Sequence, residues 1–182
     1  MLSKNTSSKR STLGLVTRLI AVLLLIVPFF IIFSPDSFRH FNLGTTSIAL
    51  DKINITGKIA IAFVSALHQL ILVTGLFAMA KVFDLLKGKR WFLPDLSYQL
   101  RTFGISLIVF VITAPVMQAL LVIILTLDIF YHMPSYKVED KIFTFSITTD
   151  GLLVLLVGVL LVFLAKVLAK ATQNARELEE IV

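Results

Sequence analysis

Four apolar runs, residues 13–33, 58–80, 104–127 and 151–169, decide what this chain of 182 residues can become. Each is about 20 residues long, and at 1.5 Å per residue a helix of that length crosses a hydrocarbon core of ~30 Å. The 57% hydrophobic content also lies above the ~45–50% apolar share of ordinary soluble domains. No connector between the runs is long enough to build a core of its own. The chain therefore reads as all-α and transmembrane: one four-helix membrane bundle over residues 13–170. A mobile polar segment, residues 1–12, precedes it, and a helical tail, residues 171–182, follows.

The first run begins next to basic residues, as a secretory signal would, but a signal has a shorter apolar region and a small-x-small cleavage site. This run is longer and ends Phe-Phe-Ile-Ile-Phe-Ser-Pro-Asp. It reads as a retained helix stopped at Ser34-Pro35, with Arg18 close enough to its start to snorkel. The second run carries Ser65, His68 and Gln69 near its centre, and Ala62 with Ala66 as a small-xxx-small pair suited to close helix approach. Its helix is expected to continue through residues 81–87 and to end at Gly88. Arg90, Trp91 and Arg101 then stand as membrane-interface anchors. Pro94-Asp95 restarts a helix, and the spacing of Leu96, Leu100 and Phe103 predicts a piece lying along the membrane surface.

Two outer connectors remain. Residues 46–56 alternate weakly, and residues 141–148 alternate more clearly, with Ile142, Thr144, Ser146 and Thr148 opposite Phe143, Phe145 and Ile147. A lone strand leaves its backbone groups to water, so the two segments are expected to pair as a small β element from the two outer loops. Asn54-Ile55-Thr56 matches a glycosylation sequon, to which no role is assigned. Twelve of the seventeen Lys and Arg residues fall in the N-terminal segment, the middle connector and the tail. The positive-inside rule then puts both termini in the cytoplasm. The net charge of +6 is explained by the lipid bilayer as partner, with no nucleic acid binding expected.

Around the middle connector the residues resemble a known family. Gly88, Phe92, Leu100-Arg101-x-Phe103-Gly104-x-x-Leu107 and Pro115 are similar to a bacterial four-span membrane family described as domain of unknown function 2975. The ending, from Ala165-Lys-Val-Leu-Ala-Lys-Ala171 through Glu177 to Ile181-Val182, resembles that family's ending. Lys170 departs from it, standing where relatives usually carry an acidic residue, and the common Glu-Asn pair before the last residues is missing. The resemblance implies a multi-pass protein of the bacterial cytoplasmic (inner) membrane with no established activity. It also implies β-like segments in the outer loops and, through genes beside some relatives, a small helix-turn-helix regulator as partner.

No reactive constellation accompanies this architecture. The chain has no cysteine, which removes disulfides, thiolate metal sites and a cysteine nucleophile. His40, His68 and His132 have no metal-binding spacing, and no Walker loop, GxSxG or dinucleotide fingerprint is present. No cofactor and no enzyme activity are expected. His68, Gln69 and Gln118 form a candidate intramembrane polar cluster, His68 and Gln118 at similar depth. Such residues either hydrogen-bond between helices or mark a ligand or proton site. The leading expectation is a non-enzymatic membrane protein that regulates or scaffolds a partner, another membrane protein included, with a homo-oligomer compatible. The alternative is a small transporter or channel subunit using His68, Gln69 and Gln118.

Overall fold

The computed structural model describes residues 11–33, 40–43, 46–49, 54–87, 94–132 and 149–181. Four helices dominate: α1 (Thr12–Phe33), α2 (Ile55–Lys87), α3 (Pro94–His132) and α4 (Thr149–Ile181). All four are long and apolar enough to cross a membrane. With 33 residues each, α2 and α4 extend ~50 Å, and α3 with 39 extends ~58 Å. These three overhang a ~30 Å core.

Local chemistry fixes the helix starts. The Ser11 carbonyl accepts the Leu15 N–H at 2.9 Å, and the Asn54 carbonyl accepts that of Lys58 at 3.0 Å. The Ile55 N–H donates to Asn54 Oδ1 at 2.7 Å, so the sequon asparagine is a helix cap. Pro94 opens α3, where a missing N–H costs nothing, and Asp95 in the first turn suits the helix dipole. Within the helices, hydroxyls are satisfied by the preceding turn. Thr17, Thr74, Thr102, Ser106 and Thr172 each donate to a carbonyl three or four residues back, at 2.7–2.9 Å.

The helices pack in chain order, α1 on α2, α2 on α3 and α3 on α4. Each interface is antiparallel and closes at a glycine. A Cβ placed on Gly14 of α1 would lie 2.9 Å from the Ala80 carbonyl oxygen of α2. One placed on Gly75 of α2 would overlap Ser106 of α3. Gly104 of α3 and Gly158 of α4 face each other: a Cβ on either would sit 2.7–2.9 Å from the other's carbonyl oxygen. Around these points small buried residues recur every seven positions, which keeps one face toward the neighbour. Gly14, Ala21 and Pro28 form such a seam on α1, and Gly158, Ala165 and Thr172 form one on α4. The remaining surface of α4 is exposed leucine, valine and phenylalanine, including Leu153, Leu160 and Phe163.

Two expectations are corrected. The β element from the two outer loops is not supported. Strand β2 (Thr46–Ala49) pairs within its own loop, antiparallel to β1 (His40–Leu43), with Phe41 opposite Ile48 and Leu43 opposite Thr46. Only residues 44 and 45 separate the two strands, so closing this hairpin costs far less entropy than bridging two loops. Residues 141–148 lie outside the described residues. The second correction concerns residues 94–103, which are not a separate surface piece: they are the first turns of α3, continuous with the apolar run to His132. Leu96 is buried rather than laid on a membrane surface.

The glycine seam yields a test. In Gly158→Leu the added side chain meets backbone, which cannot move aside cheaply, so a loss of about 1–3 kcal/mol or more is expected. It should appear as a lower melting temperature of the detergent-solubilised protein. Val159→Leu, one residue away on an exposed face, should leave that temperature unchanged.

Candidate functional site

The sequence-derived polar cluster does not assemble. His68 sits half-buried on α2, facing α3, with its ring stacked on Phe110 at a centroid distance of 4.2 Å and an interplanar angle of 21°. Its Nδ1 lies 3.4 Å from Thr113 Oγ1, a long contact. The Thr113 hydroxyl donates instead to the Val109 carbonyl at 2.8 Å, so Oγ1 is left to accept from the imidazole. Gln118 is exposed and Gln69 is half-buried. Five residues separate Thr113 from Gln118, and at 100° per residue that turns Gln118 ~140° around α3, away from His68. The pairing of His68 with Thr113 also leaves Gln118 about 7.5 Å along the axis from the level of His68. Pro115, buried in α3, withholds the donor that Val111 would otherwise receive. Ser106 does not serve that gap, since its hydroxyl donates to Phe103.

A different polar site lies where α1 starts and α2 ends. The Asp84 carboxylate receives the Ser11 backbone N–H on Oδ1 at 2.7 Å and Arg18 Nη2 on Oδ2 at 2.5 Å. Its side chain is only 17% exposed and that of Arg18 27%. Three favourable terms meet there: an ion pair, a charge-assisted hydrogen bond, and a negative charge at the positive end of a helix dipole. Gly14 makes room, because a Cβ at that position would stand 2.7 Å from Asp84 Oδ1. Arg18 is thus a partner in a clasp rather than a side chain snorkelling to the headgroups. Sequence reasoning did not single out Asp84. The available signal was charge placement: one arginine near the start of the first span, and one aspartate near the end of the helix that must run back beside it.

Of the interface anchors, Arg101 is exposed on the third turn of α3, while Arg90 and Trp91 lie outside the described residues. Among the described residues no three His, Asp or Glu side chains converge as a metal site, and no buried side-chain nitrogen or oxygen lacks a hydrogen-bond partner. Comparison with protein-family models, curated proteins and solved structures finds no match for the chain.

Removing the carboxylate in Asp84→Ala strips Arg18 and the Ser11 N–H of their shared acceptor. A loss of about 1.5–3 kcal/mol is expected, the scale of hydrogen bonds to charged groups. A charge swap, Arg18→Asp with Asp84→Arg, should restore little, because an arginine cannot accept the Ser11 N–H. Thermal melts of the three proteins in detergent check both statements.

Proposed function

We propose that this chain is a non-enzymatic protein of the bacterial cytoplasmic membrane, with both termini in the cytoplasm, that regulates or scaffolds a partner protein. The observation that carries this reading is the separation of the polar side chains within the spans. His68 packs on Phe110, Gln118 is exposed on another face of α3, and the Thr74, Thr102 and Ser106 hydroxyls are bonded to their own helices. A transporter or channel subunit built on His68, Gln69 and Gln118 would need those groups along one path, because an ion or proton in hydrocarbon must be handed between polar groups. Their divergence favours the regulatory reading. The resemblance to domain of unknown function 2975 adds a small helix-turn-helix regulator as the partner to seek, and the exposed apolar faces are compatible with another membrane protein or a second copy as neighbour.

The orientation rests on the Lys and Arg distribution, and on the antiparallel packing that brings the start of α1 to the end of α2. Single cysteines at Ser7, Gly88 and Gln173 should resist an impermeant thiol reagent in intact cells, and cysteines at Thr45 and Ser135 should react. Reaction at position 88 from outside would reverse the topology.

The activity reading has its own test. His68→Leu should cost no more than about 1–2 kcal/mol, the range of a single interhelical hydrogen bond. The variant should stay folded and keep its cellular effect. Liposomes carrying either protein and a trapped pH dye should lose a proton gradient no faster than protein-free liposomes. A folded His68→Leu protein without cellular effect, or a gradient that wild type collapses and the variant preserves, would turn the reading to transport.

A further inference from the structure

Beside the α2–α3 crossing runs a groove that neither helix closes. It has a volume of about 490 Å³, is open along one side, and is walled by Leu67, Leu70 and Ile71 of α2 and by Ile105, Val109 and Met117 of α3. Its origin is the close approach at Gly75, where Ser106 and Phe103 of α3 occupy the space of a side chain. The large residues flanking that point stand apart as walls. Thr74 and Thr102 also line the groove, but their hydroxyls donate to Ile71 and Tyr98 on their own helices at 2.7 and 2.9 Å. What fills the groove must therefore be hydrocarbon. From Thr102 to Met117 it follows α3 for ~22 Å, more than the ~15 Å of one leaflet's hydrocarbon.

Two cations stand beyond one end. Lys81 is seven residues past Thr74, two turns along the same face of α2, and Arg101 precedes Ile105 by four residues on α3. Both are exposed, and among the described residues neither is in an ion pair. The register that sets Gly75 against Ser106 and His68 against Thr113 brings Lys81 level with Leu100, so both cations sit at one depth. That depth is ~9 Å from the Lys87 end of α2 and ~10 Å from the Pro94 end of α3. A helix of ~50 Å centred on a ~30 Å core overhangs it by ~10 Å at each end. The two cations therefore fall at the boundary between hydrocarbon and headgroups, with the exposed Tyr98 beside them.

We propose that the groove is a binding site for one anionic phospholipid, an acyl chain lying between α2 and α3 and the phosphate held by Lys81 and Arg101. Charge selects this occupant. A zwitterionic lipid carries its own cation toward the same two positive groups, and an anionic one does not. A second copy docked on this groove about a two-fold axis would bring its own Lys81 and Arg101 toward the same cations. The site rests on the reading of α2 and α3 as spans, which the cysteine labelling tests separately.

The experiment is native mass spectrometry of the detergent-purified chain with equal amounts of phosphatidylglycerol and phosphatidylcholine of identical acyl chains. Wild type should retain one phosphatidylglycerol with a preference of about fivefold or more, the scale of one to two lysine–headgroup contacts. Lys81→Gln with Arg101→Gln should bring the preference close to one without lowering the melting temperature of lipid-free protein. If that double variant melts early, Lys81→Gln alone must lower the preference. Ile105→Trp, which fills the groove from an exposed position, should reduce retention of both lipids. Equal retention of the two lipids by wild type, or an unchanged preference in the folded Gln variants, overturns the proposal. So does a dimer that Ile105→Trp dissociates, since the groove then belongs to a second copy.

Discussion

Surrounded by hydrocarbon, apolar side chains gain nothing by leaving lipid for protein, so the helices of this chain must be held by how closely their backbones approach. Each of the three interfaces meets that requirement with a glycine: Gly14 on α1, Gly75 on α2, and the facing pair Gly104 and Gly158 between α3 and α4. Dispersion attraction falls steeply with separation, so a narrow seam of small residues in contact outweighs a broad interface of bulky side chains held apart. The arrangement also explains the exposed leucines and valines. They are what a helix shows to lipid once its single small-residue stripe has been used.

Polar groups follow a complementary logic. The Thr74, Thr102, Ser106 and Thr113 hydroxyls are committed locally, each to a carbonyl within one turn, and His68 lies flat on Phe110. The ion pair of Arg18 with Asp84 stands near the helix ends, where partial exposure limits its desolvation cost. Because Asp84 also takes the Ser11 N–H, the contact fixes the start of α1 as well as its register against α2. Charge in this fold aligns helices; backbone proximity binds them.

Much of this was visible in the residues. Run length and composition required four helices long and apolar enough to span a membrane, and the structure has them. The continuity of residues 94–103 with the rest of α3 was missed because amphipathic spacing in residues 96–103 looks the same on a surface helix and on the protruding end of a span. The β pairing was missed because alternation identifies a strand but not its partner, and the nearer segment, the four residues 40–43, is too short for its alternation to stand out. The polar cluster was misplaced because counting residues from helix ends gives neither the register of one helix against another nor the azimuth, and both depend on packing. The seam on α4 was present in the sequence as Gly158, Ala165 and Thr172. It was hidden by the leucines and valines between them.

The clasp between Arg18 and Asp84 has a consequence for biosynthesis. The two residues are 66 positions apart. At ribosomal speeds of about 5–20 residues per second, the arginine is made roughly 3–13 s before its carboxylate exists. During that interval the guanidinium has only headgroups and water for partners. Arrival of α2 supplies the anion and lets the first helix settle. The register of the first hairpin is thus set by the second helix to emerge, and a nascent chain stalled before residue 84 lacks the carboxylate that fixes it.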